Sequence, residues 1–240
     1  MFYDFSYLFI LFLIYSIVGY VCELVYCSIE LKKVVLNRGF LLGPYLPIYG
    51  ICCFLMNLFL EKYANDIIVL FIMSIATCSV AEYLTSYILE KIFKIRWWDY
   101  SNKKFNLEGR ICLLNSTLFG IGGVVLIHFI NPFIIPLIEK LPSTIIIIIG
   151  IFLLTIFITD LVISVITLCK IKITSNKYLD HDATEEIKLL VNKNLGKGYF
   201  LIRRLLNAFP SVSGKDMKKL NELRKKVNEI RNKIITKKTK

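Results

Sequence analysis

Apolar residues in this chain come in five long runs, and the stretches between the runs are polar, charged or rich in turn formers. A helix that crosses a bilayer needs about 20 mainly apolar residues. The pattern therefore predicts spanning helices over residues 5–29, 45–60, 67–89, 111–130 and 144–169. The second is short and opens on Gly43-Pro44-Tyr45-Leu46-Pro47. Proline is cheapest at a helix start, where its missing N–H would have had no partner. That segment reads as tilted, kinked or partly re-entrant. The first run is too long for a signal peptide and lacks a basic leader, so it is expected to stay as a membrane helix. The fold class is all-α, a transmembrane helix bundle over 1–170 followed by a basic, helical tail over 171–240.

Charge sets the direction of threading. Lys32, Lys33 and Arg38 lie between the first two runs, and Lys91, Lys94, Arg96, Lys103, Lys104 and Arg110 lie between the third and fourth. The two remaining loops hold only Lys62 and Lys140. Basic loops stay in the cytoplasm, so the N-terminus is expected outside and the tail inside. Residues 1–169 are neutral overall, with 11 Lys/Arg and 11 Asp/Glu, so the whole net charge of +12 belongs to the tail. A tethered basic tail suits anionic headgroups, at about 1 kcal/mol per basic residue near the surface; nucleic acid is the less suitable partner. Within the tail, 182–209 mixes basic residues with Leu195, Tyr199, Phe200, Leu205 and Phe209, the pattern of a surface helix. After Pro210, residues Leu220, Leu223, Val227, Ile230 and Ile234 form a two-heptad seam. It suits a helix pair within the chain or a homo-oligomer.

At 56% hydrophobic residues and 13% aromatic, disorder, collagen and a disulfide scaffold are excluded. The seven cysteines lie at the apolar runs without C-x-x-C or histidine neighbours, so no metal or redox cofactor is expected. There is no G-x-x-x-x-G-K-[ST], no G-x-S-x-G and no H-E-x-x-H. No catalytic residue is assigned on this basis.

Three acids interrupt the apolar runs: Glu23, Glu82 and Asp160. An acid at mid-bilayer costs about 2.5–3.5 kcal/mol on insertion scales. Each lies some eight residues from the cytoplasmic end of its run, roughly 12–14 Å deep at 1.5 Å per residue. A shared depth suggests one polar cavity open to the cytoplasm, with Arg38 and Arg110 as ion partners. The alternative is an ion-pair network that only fixes packing. Trp97, Trp98, Asp99 and Tyr100 read first as an interfacial aromatic belt. The donors that follow, through Asn106 to Arg110, exceed what a belt requires. Ser116, Gly120 and Gly123 favour close helix packing, and His128 reads as a polar cap. The two acid-bearing halves, Glu23 with Glu30 and Glu82 with Glu90, also suggest a weak internal repeat.

The strings NRGFLLGPYLPIYG at 37–50, EYLTS at 82–86 and RWWDYSNKKFNLEGR at 96–110 carry a resemblance. The chain resembles the CmpB-like integral membrane proteins labelled ABC-transporter permease, type IV. The resemblance implies a bacterial plasma-membrane protein with five or six helices, working with a separate ATPase subunit. It carries over Glu23, Arg38, Glu82, Trp97, Trp98, Asp99, Tyr100, Asn106 and Arg110 as a functional cluster. A transporter permease is the leading expectation. A scaffold that holds lipid or a partner through its tail is the first alternative. An intramembrane enzyme acting on a lipid-linked substrate is the second.

Overall fold

A computed structural model describes residues 2–30, 32, 34, 39–93 and 96–179. Arg38, the surface helix at 182–209 and the seam at 220–234 lie outside the described residues. The order is α1 (Phe2–Glu30), α2 (Pro47–Leu60), α3 (Ile67–Phe93), a small hairpin of β1 (Asn106–Leu107) and β2 (Ile111–Cys112), α4 (Leu113–Val125), α5 (Asn131–Glu139) and α6 (Ser143–Leu179). The helical bundle read from the sequence is what the chain forms. Four helical stretches are long and apolar enough to cross a membrane: Phe2–Ile29, Ile67–Phe93, Leu113–Glu139 and Ser143–Thr167. Their outward faces carry large apolar side chains such as Ile68, Ile88, Leu118, Ile148 and Phe152.

The second run behaves differently from the rest. Its helix has 14 residues, about 21 Å at 1.5 Å per residue, against a hydrocarbon core of about 30 Å. The backbone ahead of it, 39–46, is irregular. Leu46 N–H donates to the carbonyl of Ser16, 3.0 Å away, and Ser16 is the midpoint of α1. So α2 begins halfway along α1 and runs back toward the end that carries the N-terminus. Gly50 makes this crossing close: a Cβ there would strike the Ser16 hydroxyl and the Phe12 carbonyl.

The fourth run extends further than its pattern suggested. Asn131-Pro132 reads as a helix end, yet the chain continues through a π turn, Leu126–Ile130, into α5. Proline lacks the N–H that an α-helix interior would use, and a wider turn just before it absorbs the mismatch. His128 bridges this turn to the connection between α2 and α3, with Nε2 3.0 Å from the Ala64 carbonyl.

Packing runs in sequence around the bundle: α6 against α1, α1 against α2, α2 against α3, and α3 against α4. The buried residues of α3 recur every fourth position, Leu70, Ser74, Cys78, Glu82 and Ser86. That spacing keeps one stripe turned inward. Opposite it, Gly120 and Gly123 of α4 leave no room for a Cβ against Phe71 and Ser74, and the Ser79 and Ser116 hydroxyls bond at 2.8 Å. Lipid tails are as apolar as leucine, so close small-residue contacts of this kind, and polar bonds between helices, hold the helices together. The apolar core, with Ile10, Leu11, Met56, Leu60, Leu70, Leu126 and Ile146, fills the end nearest the N-terminus. A closed ring of Tyr15, Asn57 and Asn131 ties α1, α2 and α5 there: Tyr15 donates to Asn131, Asn131 to Asn57, and Asn57 to Tyr15.

Candidate functional site

The opposite end of the bundle holds the acids. Asp160, on α6, is 7% exposed. One carboxylate oxygen accepts from Leu42 N–H at 2.8 Å and the Ser164 hydroxyl at 3.1 Å. The other accepts from Gly43 N–H at 2.8 Å and the Tyr45 hydroxyl. A carboxylate offers about four acceptor positions, and all are taken. Irregular backbone at membrane depth survives only where its polar groups are met inside the protein. Asp160 meets those of 42 and 43, so it fixes the entry to α2.

Glu23 is half-buried on α1, one turn past Gly19. A Cβ on Gly19 would collide with Tyr49. The ring of Tyr49 therefore lies against α1, and its hydroxyl donates to Glu23 Oε2 at 2.9 Å. The Cys27 thiol donates to Oε1 at 3.1 Å. Tyr49 belongs to the first turn of α2, so Glu23 sits beside the positive end of a helix that starts inside the bundle.

Glu82 belongs to the inward stripe of α3 and is 4% exposed. Tyr100 donates its hydroxyl to Oε1 over a long 3.2 Å. Oε2 is buried with no hydrogen-bond partner. The two carboxylates lie near enough to repel each other, and both act on the hydroxyls of Tyr49 and Tyr100. Burial, then the charges of Glu82 and Glu23, push the Tyr100 hydroxyl well above its ordinary value of 10.0.

Arg110 has other company. Its guanidinium pairs with Glu90 at 2.8 Å and Glu108 at 3.4 Å, and donates to the Ser86 hydroxyl at 3.2 Å. It also lies over the rings of Tyr83 and Tyr87. The pairing expected between Arg110 and Glu82 is thus replaced by one with Glu90 near the end of α3 and Glu108 in the hairpin turn, and the guanidinium is buried among them. The hydroxyl of Tyr83, followed by Arg110, holds the Glu108 carboxyl below its usual range.

The aromatic motif is mostly scaffold. Trp98 Nε1 donates to the Arg110 carbonyl at 2.9 Å, and Tyr100 N–H to the Gly109 carbonyl at 2.8 Å. Asp99 accepts from the backbone N–H and hydroxyl of Ser101 and lies 3.7 Å from Arg96. Asn106 donates to the Lys103 carbonyl at 2.8 Å and accepts from Gly109 N–H at 3.0 Å. Gly109 has φ +67, with Ser101 and Asp99 where a side chain would stand. Trp97 is buried against Phe40 and Phe93. The product of this bracing is the position of Tyr100, aimed at Glu82.

The structure therefore brings Glu23, Glu82 and Tyr100 together and holds Asp160 on the backbone at 42 and 43. Trp97, Trp98, Asp99, Asn106 and Arg110 form the wall and hairpin at the bundle's loop end. Sequence reasoning passed over Tyr49. The signal was available, because Gly19 lies one turn before Glu23 and leaves a gap that only a neighbouring helix can fill.

Comparison with curated proteins gives no match, and comparison with solved structures gives none. Residues 10–165, more than half of the chain, match the family described as Putative ABC-transporter type IV. That match takes in most of each long apolar helix, the short second helix and the Glu23–Glu82 neighbourhood, and the chain belongs to this family.

Proposed function

We propose that the chain is the membrane-embedded subunit of a transporter, working with a separate ATPase and presenting a polar cavity that opens to the cytoplasm. The observation that carries this reading is the short second helix, which starts inside the bundle. Its first turn begins at the midpoint of α1 beside a carboxylate. Transporters build solute sites at this depth from discontinuous helices, because a helix end supplies polar groups that a continuous helix spends on itself. Glu23, Glu82, Tyr49 and Tyr100 line the route from the loop end, and Arg110 with Glu90 and Glu108 guards its mouth. The family's transporter label is what supports a separate ATPase, and the given sequence itself carries no phosphate-binding G-x-x-x-x-G-K-[ST] loop.

The setting is a bacterial plasma membrane, with the N-terminus outside and the tail in the cytoplasm. The +12 of the tail favours anionic headgroups on that side, and its seam favours self-association. Two measurements test the reading. A cysteine at Lys103 is expected to react only from the cytoplasmic side; labelling from outside overturns the topology. The full chain isolated with its native neighbours is expected to bring an ATPase whose turnover changes when the chain is removed. Hydrolysis indifferent to the chain overturns the transporter assignment.

A further inference from the structure

The groups between α1, α2 and α3 form an unusual set: two carboxylates and two tyrosine hydroxyls. Each hydroxyl has one proton and spends it on a carboxylate, Tyr49 on Glu23 and Tyr100 on Glu82. What each hydroxyl oxygen keeps is lone pairs. Among the described residues no Lys or Arg makes an ion pair with either acid, and Arg110 is engaged by Glu90 and Glu108. Glu82 Oε2 is buried with no hydrogen-bond partner. A buried carboxylate oxygen without a donor is costly, and a second carboxylate close by raises that cost. The arrangement is complete only when something positive with several donors enters it.

The chemistry narrows the ligand. Among the described residues no group of three or more His, Cys, Asp or Glu is placed to hold a metal ion. Calcium or magnesium, which takes six or more oxygens, is poorly served by two carboxylates. An ammonium group carries one positive charge and up to three donors. It matches acceptors that include an unmet Oε2. The walls are aromatic as well: the Tyr49 ring meets Phe119 edge-on at 6.4 Å, and aromatic faces attract desolvated cations.

We infer that the Glu23–Glu82 pair, with the hydroxyl oxygens of Tyr49 and Tyr100, is a binding site for a protonated primary amine. This rests on the transporter reading only for its purpose, since the site would bind an amine whether or not the chain moves it.

The test uses the full chain purified in detergent, with thermal unfolding followed as ligand is added at constant pH and ionic strength. The probes are ethylammonium, spermidine, tetramethylammonium and sodium chloride. Ethylammonium or spermidine is expected to raise Tm in proportion to the logarithm of its concentration above Kd, by about 5–10 °C at a hundredfold excess over Kd. Tetramethylammonium, which has no N–H, and sodium are expected to leave it in place. Glu82→Gln and, separately, Glu23→Gln are expected to weaken the amine response about tenfold or more, as loss of a charge-assisted contact does. No response of the wild-type chain to either amine overturns the inference without any variant. So does an equal response to sodium, which assigns the site to any small cation. Binding is read without ATPase or transport. A chain that binds amines but is indifferent to ATPase loses the transporter reading alone; a transporting chain blind to amines loses this one alone.

Discussion

Asp160 and Glu82 are both carboxylates buried between apolar helices, and their surroundings differ in one respect. Asp160 receives four donors, two of them backbone N–H groups from the irregular stretch before α2. Glu82 receives one, at 3.2 Å, and leaves an oxygen unmet. A carboxylate whose acceptor positions are filled is part of the architecture. It has nothing to offer a solute, and the backbone cannot do without it. A carboxylate left open costs stability in the resting protein and keeps an acceptor free. Depth in the bilayer, the property the two acids share, does not separate these roles; donor count does.

The sharpest way to break the comparison is Asp160→Ala. It strands two part-buried N–H groups, and each unmet group costs up to about 1–3 kcal/mol. A loss of about 2–6 kcal/mol in thermal stability is expected, against the unmutated chain in the same detergent. Stability within experimental error of wild type would mean that water or another group serves Leu42 and Gly43. Glu82→Gln is expected to act in the opposite direction, since neutralising an open carboxylate removes buried charge. Unfolding should shift upward by about 1–2 kcal/mol, the usual gain from relieving a strained site. A loss as large as that at Asp160 would erase the distinction.

Tyr100 gives a smaller effect that depends on pH. Its folded ionisation lies above its unfolded value of 10.0. The stability it contributes is therefore present below pH 10 and lost as pH rises beyond it, because the unfolded chain then ionises first. The slope is at most about 1.4 kcal/mol per pH unit. The unfolding curve of Tyr100→Phe should be flatter than that of wild type above pH 10; identical alkaline limbs would show that Tyr100 is not held against the acids. Glu108 is the weakest case, being fully exposed at the bundle's end. Its folded ionisation is lowered, so its contribution is present above about pH 4.5 and fades below that as the carboxyl protonates. Glu108→Gln should remove a small part of the acid sensitivity, and high salt should remove only the share owed to the Arg110 and Arg96 charges.

Much of this was legible from the residues. Long apolar runs have one stable form in lipid, which made the bundle and most helix bounds readable. The short second run and its two prolines signalled a departure from a full span. The fourth apolar run ends at 130, while the helix continues through a π turn and past Pro132. The acids were found because charge in an apolar run is conspicuous. Their partners were not, because partnership depends on which helices cross closely. Gly19 against Tyr49 and the four-residue stripe of α3 decide that. The WWDYS string was singled out as chemistry, and its bonds show that specific residue types at fixed spacing also serve a braced hairpin. Arg38 lies outside the described residues.

The π turn at Leu126–Ile130 has a consequence for chain length. A turn of this kind holds one residue more than the α-helical turn it replaces, and each residue rotates a helix by about 100°. Asn131 follows directly, and its inward position closes the ring with Tyr15 and Asn57. Removing one residue from the turn would leave every apolar side chain of α5 in the sequence and still swing Asn131 toward lipid. Insertions and deletions here therefore act as rotations, and this helix is open to substitution and closed to a change in count.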